Sequence, residues 1–498
     1  MNRTAVLYPA LVVGFLLARA GLFAVTTAGE YRLFRDYGEA ARTAGVAELY
    51  RARDVEYPHL AVLFGAAPCW LADRLPSWAP VLVRLRPNKQ EWPYTEESAA
   101  ERDAGDRYEV ALGLVLVAVD AASLALVWLV ARRVYPLERP LARVGRLAGY
   151  VVATSTVGVI LYDRQDPVVG LAALAAVWAL AVGRPRAGYA VLAAGAAFKL
   201  VPALLLPVWV LAAAAARPGR FPVNVLREAA VAGAVLAAWP VLTYLSGGGE
   251  RGFAFLTYHA DRGLQLEAPL AWPVFLLDPA ARVGHGHGSY NVTGDLAARV
   301  AALAKWLMLL SVPVTVGLAA RGFWRAARSG SLGAWLTPSP RVLRSEPLPR
   351  GGEGEPRTTG TGRLPNAHAA LVPHVVASAL LVWLAFIAAN KVGSPQYLHW
   401  VLPLVPLLPL RTWGERGWAA LLVLAGGLTS LVFPCFYPAV YGPRLPTDPV
   451  TWGGPSGFGL FLLAARSVTL VAAAVWLGWR VWRHPHGPAV PPASSRHG

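Results

Sequence analysis

The feature that most limits what this chain can become is its series of long apolar runs. A bilayer core about 30 Å thick is crossed by about 20 apolar residues in a helix. Backbone groups find no water partner in lipid, so the helix is the default spanning element. Twelve stretches fit that description: 5–27, 108–131, 145–162, 167–183, 187–199, 201–216, 228–245, 296–319, 369–389, 396–410, 416–438 and 457–480. Three of them, 187–199, 201–216 and 396–410, are short and predict broken or partly inserted helices. The expected fold is therefore all-α, a polytopic membrane helix bundle of about 12 spans. Composition agrees: 55% of the 498 residues are hydrophobic and 15% charged, against about 25% charged in a soluble domain. The run 5–27 is longer than the apolar core of a signal peptide and predicts a retained first span.

The charges predict sidedness. Lys and Arg number 46 against 29 Asp and Glu, a net of +17. In a soluble chain this would suggest nucleic acid. Here the arginines fall in alternate loops: Arg132, Arg133, Arg139, Arg143 and Arg146; Arg184 and Arg186; Arg217, Arg220 and Arg227; Arg321, Arg325 and Arg328; Arg411 and Arg416; Arg480 and Arg483. With the N-terminus inside, these are the cytoplasmic loops, as the positive-inside rule requires. No nucleic-acid partner is expected. Cys69 and Cys435 lack any metal-type spacing.

The domain plan follows. Residues 1–328 form a membrane domain with a large first outer loop, 28–107. Residues 329–367, rich in Pro, Gly, Arg and Ser, predict a disordered cytoplasmic loop. Residues 368–483 supply the last membrane helices, and 484–498 a disordered tail. The first loop, counted with the edge of the next span, carries 14 of the 29 acidic residues, from Glu30 to Glu109, together with many aromatics. Helical patches near 36–50 and an apolar stretch at 58–83 behind Pro58 predict amphipathic helices at the outer surface or a re-entrant element. The outer segment 246–295 holds an apolar piece, 268–278, too short to span.

Ionisable groups at membrane depth are costly and are functional candidates by default. They cluster on the outer side: RDYGEAAR with Asp36 and Tyr37; EYPHL with Glu56, Tyr57 and Pro58; LYDRQDP with Asp163, Arg164, Gln165 and Asp166; FKLVP with Lys199; YHADRGLQLEAP with His259, Asp261, Arg262, Gln265 and Glu267; and NKVGSPQYLHW with Asn390, Lys391, Ser394, Gln396, Tyr397 and His399. Asp120, inside span 108–131, is expected to pair within the bundle. His285 and His287 in HGHG are thin grounds for a metal site. There is no phosphate-binding Gly-rich loop ending in Lys-Ser/Thr, no DxD pair and no zinc-protease motif. That disfavours a nucleotide-driven pump and a nucleotide-sugar enzyme.

At these residues, over nearly the whole chain except 331–367 and the tail, the sequence resembles the multispan GT-C glycosyltransferases, specifically the family 87 group of polyprenol-phosphate-mannose-dependent mannosyltransferases. The motifs that carry the resemblance are RDYGEAAR, EYPHL, LYDRQDP, AAFKLVPALLLP, RGLQLE and NKVGSPQYLHW, in that order. Two positions depart from the family pattern: His59, where a second Pro is frequent, and Asp166, where Asn is common. The resemblance implies transfer of a hexose, mannose by preference, from a polyprenyl-phosphate-linked sugar to a lipid, glycan or protein acceptor at the outer face of a bacterial plasma membrane. The leaving phosphate is a stable anion, so one carboxylate base suffices for an inverting displacement, and cations should meet the phosphate. On that expectation Asp36 is the base. Arg262, with Lys199 and Lys391 behind it, binds donor phosphate. Tyr37, Glu56, Tyr57, Asp163, Gln165, Gln265, Glu267, Gln396 and Tyr397 bind substrate. No cofactor or metal is indicated, although a divalent ion is compatible. Simpler roles stand beside these: a helix start for Asp36, a structural pair for Arg262 with Asp261 or Glu267, snorkelling lysines and turn caps at Asp163 and Asp166. The rival function is a transporter or flippase of a lipid-linked sugar, or an inactive relative.

Overall fold

Proline and capping chemistry divide the apolar chain into helices. Proline occupies the first turn at Pro140, Pro167 and Pro185, where its missing N–H costs nothing. Capping boxes begin two of the longer helices: Ser98 with Glu101, and Thr412 with Glu415. The computed structural model describes residues 3–26, 31–53, 55–86, 98–217, 219–260, 262–286, 288–329, 367–445 and 450–483. Of the segments predicted disordered, 330–366 and 484–498 lie outside the described residues, as do Asp261 and His287, while Ser329 and Ala367 are helical.

The helices are α1 (Arg3–Val25), α2 (Tyr31–Thr43), α3 (Val46–Ala52), α4 (His59–Ala72), α5 (Val81–Arg84), α6 (Ala99–Val134), α7 (Pro140–Ser155), α8 (Pro167–Ala181), α9 (Pro185–Phe198), α10 (Leu206–Ala215), α11 (Phe221–Thr243), α12 (Ala254–Ala260), α13 (Trp272–Leu277), α14 (Asp295–Ser329), α15 (Ala367–Ala389), α16 (Leu398–Val401), α17 (Trp413–Ser430), α18 (Tyr437–Tyr441) and α19 (Gly457–Arg483). Seven helical stretches among the described residues are long and apolar enough to cross a membrane: Val6–Val25, Ala99–Val134, Phe221–Ser246, Asp295–Arg328, Ala367–Ala389, Trp413–Cys435 and Gly457–Arg483. The other five expected spans are shorter. Stretch 145–162 is α7 followed by a 3-10 turn, and 396–410 is α16 between two 3-10 segments. Helices α8, α9 and α10 have 15, 14 and 10 residues, about 15–23 Å at 1.5 Å per residue. An apolar run reports burial in protein as readily as burial in lipid. Helix α15 shows this: most of its side chains are enclosed by the bundle, among them Val376, Leu380 and Trp383, as expected of a helix apolar on all sides.

The segment between α1 and α6 contains four helices, α2 to α5. Helix α2 lies on α4 at a glycine crossing: a Cβ on Gly38 would collide with the Gly65 carbonyl. The sequence analysis did not find a small antiparallel sheet. Strands β1 (Leu264–Gln265), β2 (Arg282–Gly286), β3 (Ser289–Thr293) and β4 (Thr451–Trp452) pair in the order β1-β3-β2-β4, with Val283 opposite Val292 and Trp452. Two-residue strands carry no readable alternation, and the Gly-rich HGHG masks β2. The exposed His285 is a strand residue opposite Tyr290.

Asp120 pairs within the bundle. Arg19 of α1 donates from Nε to Asp120 at 2.5 Å and from its terminal nitrogens to Ser155 and Thr154. Tyr150 donates to the same carboxylate at 2.5 Å.

Candidate functional site

One end of the bundle gathers the turn 163–166, the end of α9, the sheet and the segment 390–397. Lys199 ends α9 with extended backbone. Its ammonium donates to both oxygens of Asp166, at 2.8 and 3.1 Å. The Trp400 indole donates to the same carboxylate at 2.6 Å and stacks on Tyr397, ring centroids 4.2 Å apart. Arg164 lies 3.3 Å from Asp163. Arg262 lies 3.6 Å from Glu56 and sits over the Tyr258 ring. Lys391 donates to the backbone carbonyl of Arg262, while the Gln265 backbone N–H donates to the Lys391 carbonyl at 2.9 Å. Tyr437 donates to Glu267 at 2.6 Å.

A buried arginine from the last helix fastens these loops. Arg466 of α19 donates to the Glu267 carbonyl at 2.6 Å, the Gly393 carbonyl at 3.0 Å and the Thr429 hydroxyl at 2.9 Å. Gly393 leaves no room for a side chain, since its Cβ would strike the Glu267 backbone.

Electrostatic coupling shows these groups to be mutual neighbours. Arg164 feels Asp166, Tyr437, Glu267 and Arg262, and burial pulls it down to about 10 against those acidic partners. Burial raises Glu267 above its ordinary 4.5, with the Tyr437 hydroxyl opposing. Burial and the Glu56 charge push Tyr37 up to about 12. Burial also raises Tyr397, which senses Arg262, Asp166 and Glu267. Several side chains of these segments have buried polar atoms without hydrogen bonds: both amide atoms of Gln165, Oε1 of Gln265, Oε2 of Glu267, Oε2 of Glu56, Nε of Arg262 and Nε2 of His399. Gln165 is only 2% exposed. Native interiors leave few such groups unmatched, so these atoms are available to water or to a polar ligand.

Nearly all the expected residues thus fall in one centre: Glu56, Tyr57, Asp163, Gln165, Lys199, Arg262, Gln265, Glu267, Lys391 and Tyr397, with Gln396 accepting from Ser394 beside them. Asp36 is placed differently. Its neighbours on α2, Phe34, Tyr37 and Gly38, turn inward. Its own side chain is 51% exposed, 3.6 Å from Arg35. Tyr37 connects the two settings through Glu56. Tyr258, Trp400, Tyr437 and Arg466 were not foreseen from sequence as members of the centre, and Arg164 was named among the outer candidates without a role. A lone arginine inside the apolar run 457–480 was the available signal for Arg466.

An apolar groove of about 330 Å³ adjoins this centre, lined by Ala196, Leu200, Leu236, Trp239 and Pro240 between α9 and α11. Leu200 follows Lys199 directly. Among the described residues no three His, Cys, Asp or Glu side chains converge as metal ligands. No family model matches this chain, and no curated protein matches it.

Proposed function

We propose that this chain is an integral membrane glycosyltransferase that moves a hexose, mannose by preference, from a polyprenyl-phosphate donor to an acceptor at the extracytoplasmic face of a bacterial plasma membrane. On this reading the short helices complete about 12 membrane crossings, and the first-loop helices lie at the outer surface. The observation that carries the proposal is the buried polar centre, cationic at Arg262 and Arg164 and open in hydrogen bonding at Gln165, Gln265 and Glu267, with an apolar groove at its edge. That combination suits an amphiphile with a phosphosugar head and an isoprenoid tail.

The roles divide by what each group already holds. Lys199 is spent on Asp166 and Lys391 on a carbonyl, so they shape the centre. Arg262 holds only long contacts, 3.6 Å to Glu56 and 3.4 Å to the Tyr258 hydroxyl, and on this reading its guanidinium turns to two phosphate oxygens. The unmatched amide and carboxylate atoms of Gln165, Gln265 and Glu267 take sugar hydroxyls. The acceptor hydroxyl attacks the anomeric carbon and the carbon–oxygen bond to phosphate breaks. The phosphate leaves with the electron pair, and the hydroxyl proton passes to a carboxylate. The family pattern gives that role to Asp36, and the geometry offers Glu56 beside Arg262. One base is enough, because the leaving group needs no acid. The rival transporter reading requires ionisable groups free at mid-membrane. Asp120, Glu228 and Arg466 are instead held by protein partners.

The test is transfer from radiolabelled polyprenyl-phosphate hexoses by the purified full chain against a panel of lipid, glycan and peptide acceptors. Turnover that Arg262→Lys lowers at least tenfold supports the proposal. A well-folded preparation that transfers nothing, yet moves the intact lipid-linked sugar between leaflets, overturns it in favour of a flippase.

A further inference from the structure

The opposite end of the bundle carries a second site. We propose that the groove between α1, α6 and α7 binds the phosphate headgroup of an anionic phospholipid. This groove, about 290 Å³, is lined by Tyr8, Trp128, Arg132 and Arg143. It does not depend on the transferase reading.

The argument begins with the two guanidinium groups. Arg132 lies over the Trp128 ring, 4.6 Å from its centroid. Arg143 donates to the Pro136 carbonyl at 2.6 Å, which fixes one side of its fork. Its Nε is buried without a hydrogen-bond partner. Among the described residues neither arginine has an ion-pair partner. The nearby Glu138 is already held by Arg146, from Nε at 2.8 Å and a terminal nitrogen at 2.5 Å. Arg146 in turn donates to the Pro406 and Leu408 carbonyls. Arg133 reaches the Ala181 carbonyl and leaves the groove. Two cations therefore face one groove with no negative charge to meet them, and an indole and a phenol form its walls.

The occupant is a lipid because of where the groove lies. It opens among the ends of two membrane-length helices, α1 and α6, and apolar side chains exposed nearby, Leu137 and Leu141, point away from the protein. Tyr and Trp rings beside arginines are the usual furniture of the headgroup layer. Basic pockets between helix ends bind acidic headgroups, and each Lys or Arg near an anionic surface contributes enough for about a fivefold change in affinity. A phosphate between them takes a bidentate set of hydrogen bonds from Arg132 and the remaining terminal N–H groups of Arg143. The headgroup ester leaves the acyl chains free to follow α1 and α6 into the bilayer.

The test uses the full chain in mixed micelles. Native mass spectrometry counts bound lipid as phosphatidylglycerol is titrated against phosphatidylcholine. The wild type should retain phosphatidylglycerol preferentially. Arg132→Gln and Arg143→Gln should each weaken that preference about fivefold, and the double variant should abolish it. Arg328→Gln, whose guanidinium lies on Trp324 elsewhere, should leave it intact. Should the double variant fail to fold, the single variants decide. No preference in the wild type, or an unchanged preference in both single variants, overturns the proposal. Complete displacement of the lipid by millimolar inorganic phosphate also overturns it, since the groove would then be a site for a free anion.

Discussion

At the scale of single residues, two carboxylates, Asp36 on α2 and Glu56 beside Arg262, separate the pattern-based and the geometric reading of the chemistry. Asp36 is half exposed on α2, while Glu56 faces Arg262. If Asp36 takes the acceptor proton, Asp36→Asn should lower turnover by about 10²–10⁴-fold with an unchanged melting temperature. If Glu56 is the base, Glu56→Gln does so and Asp36→Asn keeps most activity. Single-turnover kinetics of both variants decide. Glu267 gives a second prediction. Burial holds its folded value above 4.5, so the folded state binds its proton more tightly than the unfolded chain. Its contribution is fully favourable below that ordinary value and is lost as pH rises through the raised one. Glu267→Gln keeps an oxygen for Tyr437 and should flatten stability against pH on the acid side, read from melting temperature in detergent.

The sequence made these residues legible by type and order, since polar groups within apolar surroundings stand out without any structure. It did not reveal which charges neutralise one another. Lys199 looked like a phosphate ligand until Asp166, 33 positions earlier, was found on it. Such pairings depend on how the helices return, which no local pattern records.

At the scale of elements, the crossing of α2 and α4 positions both carboxylates. Gly38 and Gly65 bring the two backbones into contact. Gly38→Ala would force the helices apart, with a cost of about 1–3 kcal/mol by overpacking. Melting temperature should fall, and activity should fall with it through displacement of Glu56. The helices of this loop were readable from Pro58 and the apolar stretch behind it. The sheet was not: its strands have two to five residues, and β4 comes from a segment more than 150 positions beyond β3 in sequence. Long-range pairing of short, Gly-rich pieces leaves no periodicity to detect.

At the scale of the whole molecule, the distribution of charge predicts orientation. With Cys435 replaced, Asp36→Cys should react with a membrane-impermeant maleimide added outside intact cells. Arg328→Cys should react only after the membrane is opened. The reverse pattern would place the polar centre in the cytosol and exclude a lipid donor presented outside. A second prediction concerns the bundle itself. Arg19 and Asp120 are each 2% exposed, and leaving one buried charge alone costs about 3–5 kcal/mol. Asp120→Ala should therefore lower the melting temperature sharply, whereas replacing both residues with apolar ones should restore much of it.

Arg466 gives the terminal helix an influence out of proportion to its place in the chain. It reaches two separate loops and helix α17 from a position that comes after all of them in synthesis. The pocket is then a loose assembly until the ribosome has delivered the last helix, and a protein cut short before Gly457 would insert its earlier spans yet never seat its loops. Tags joined behind Arg483 should be harmless, while a stop codon some thirty residues earlier should yield a membrane-embedded but inert product.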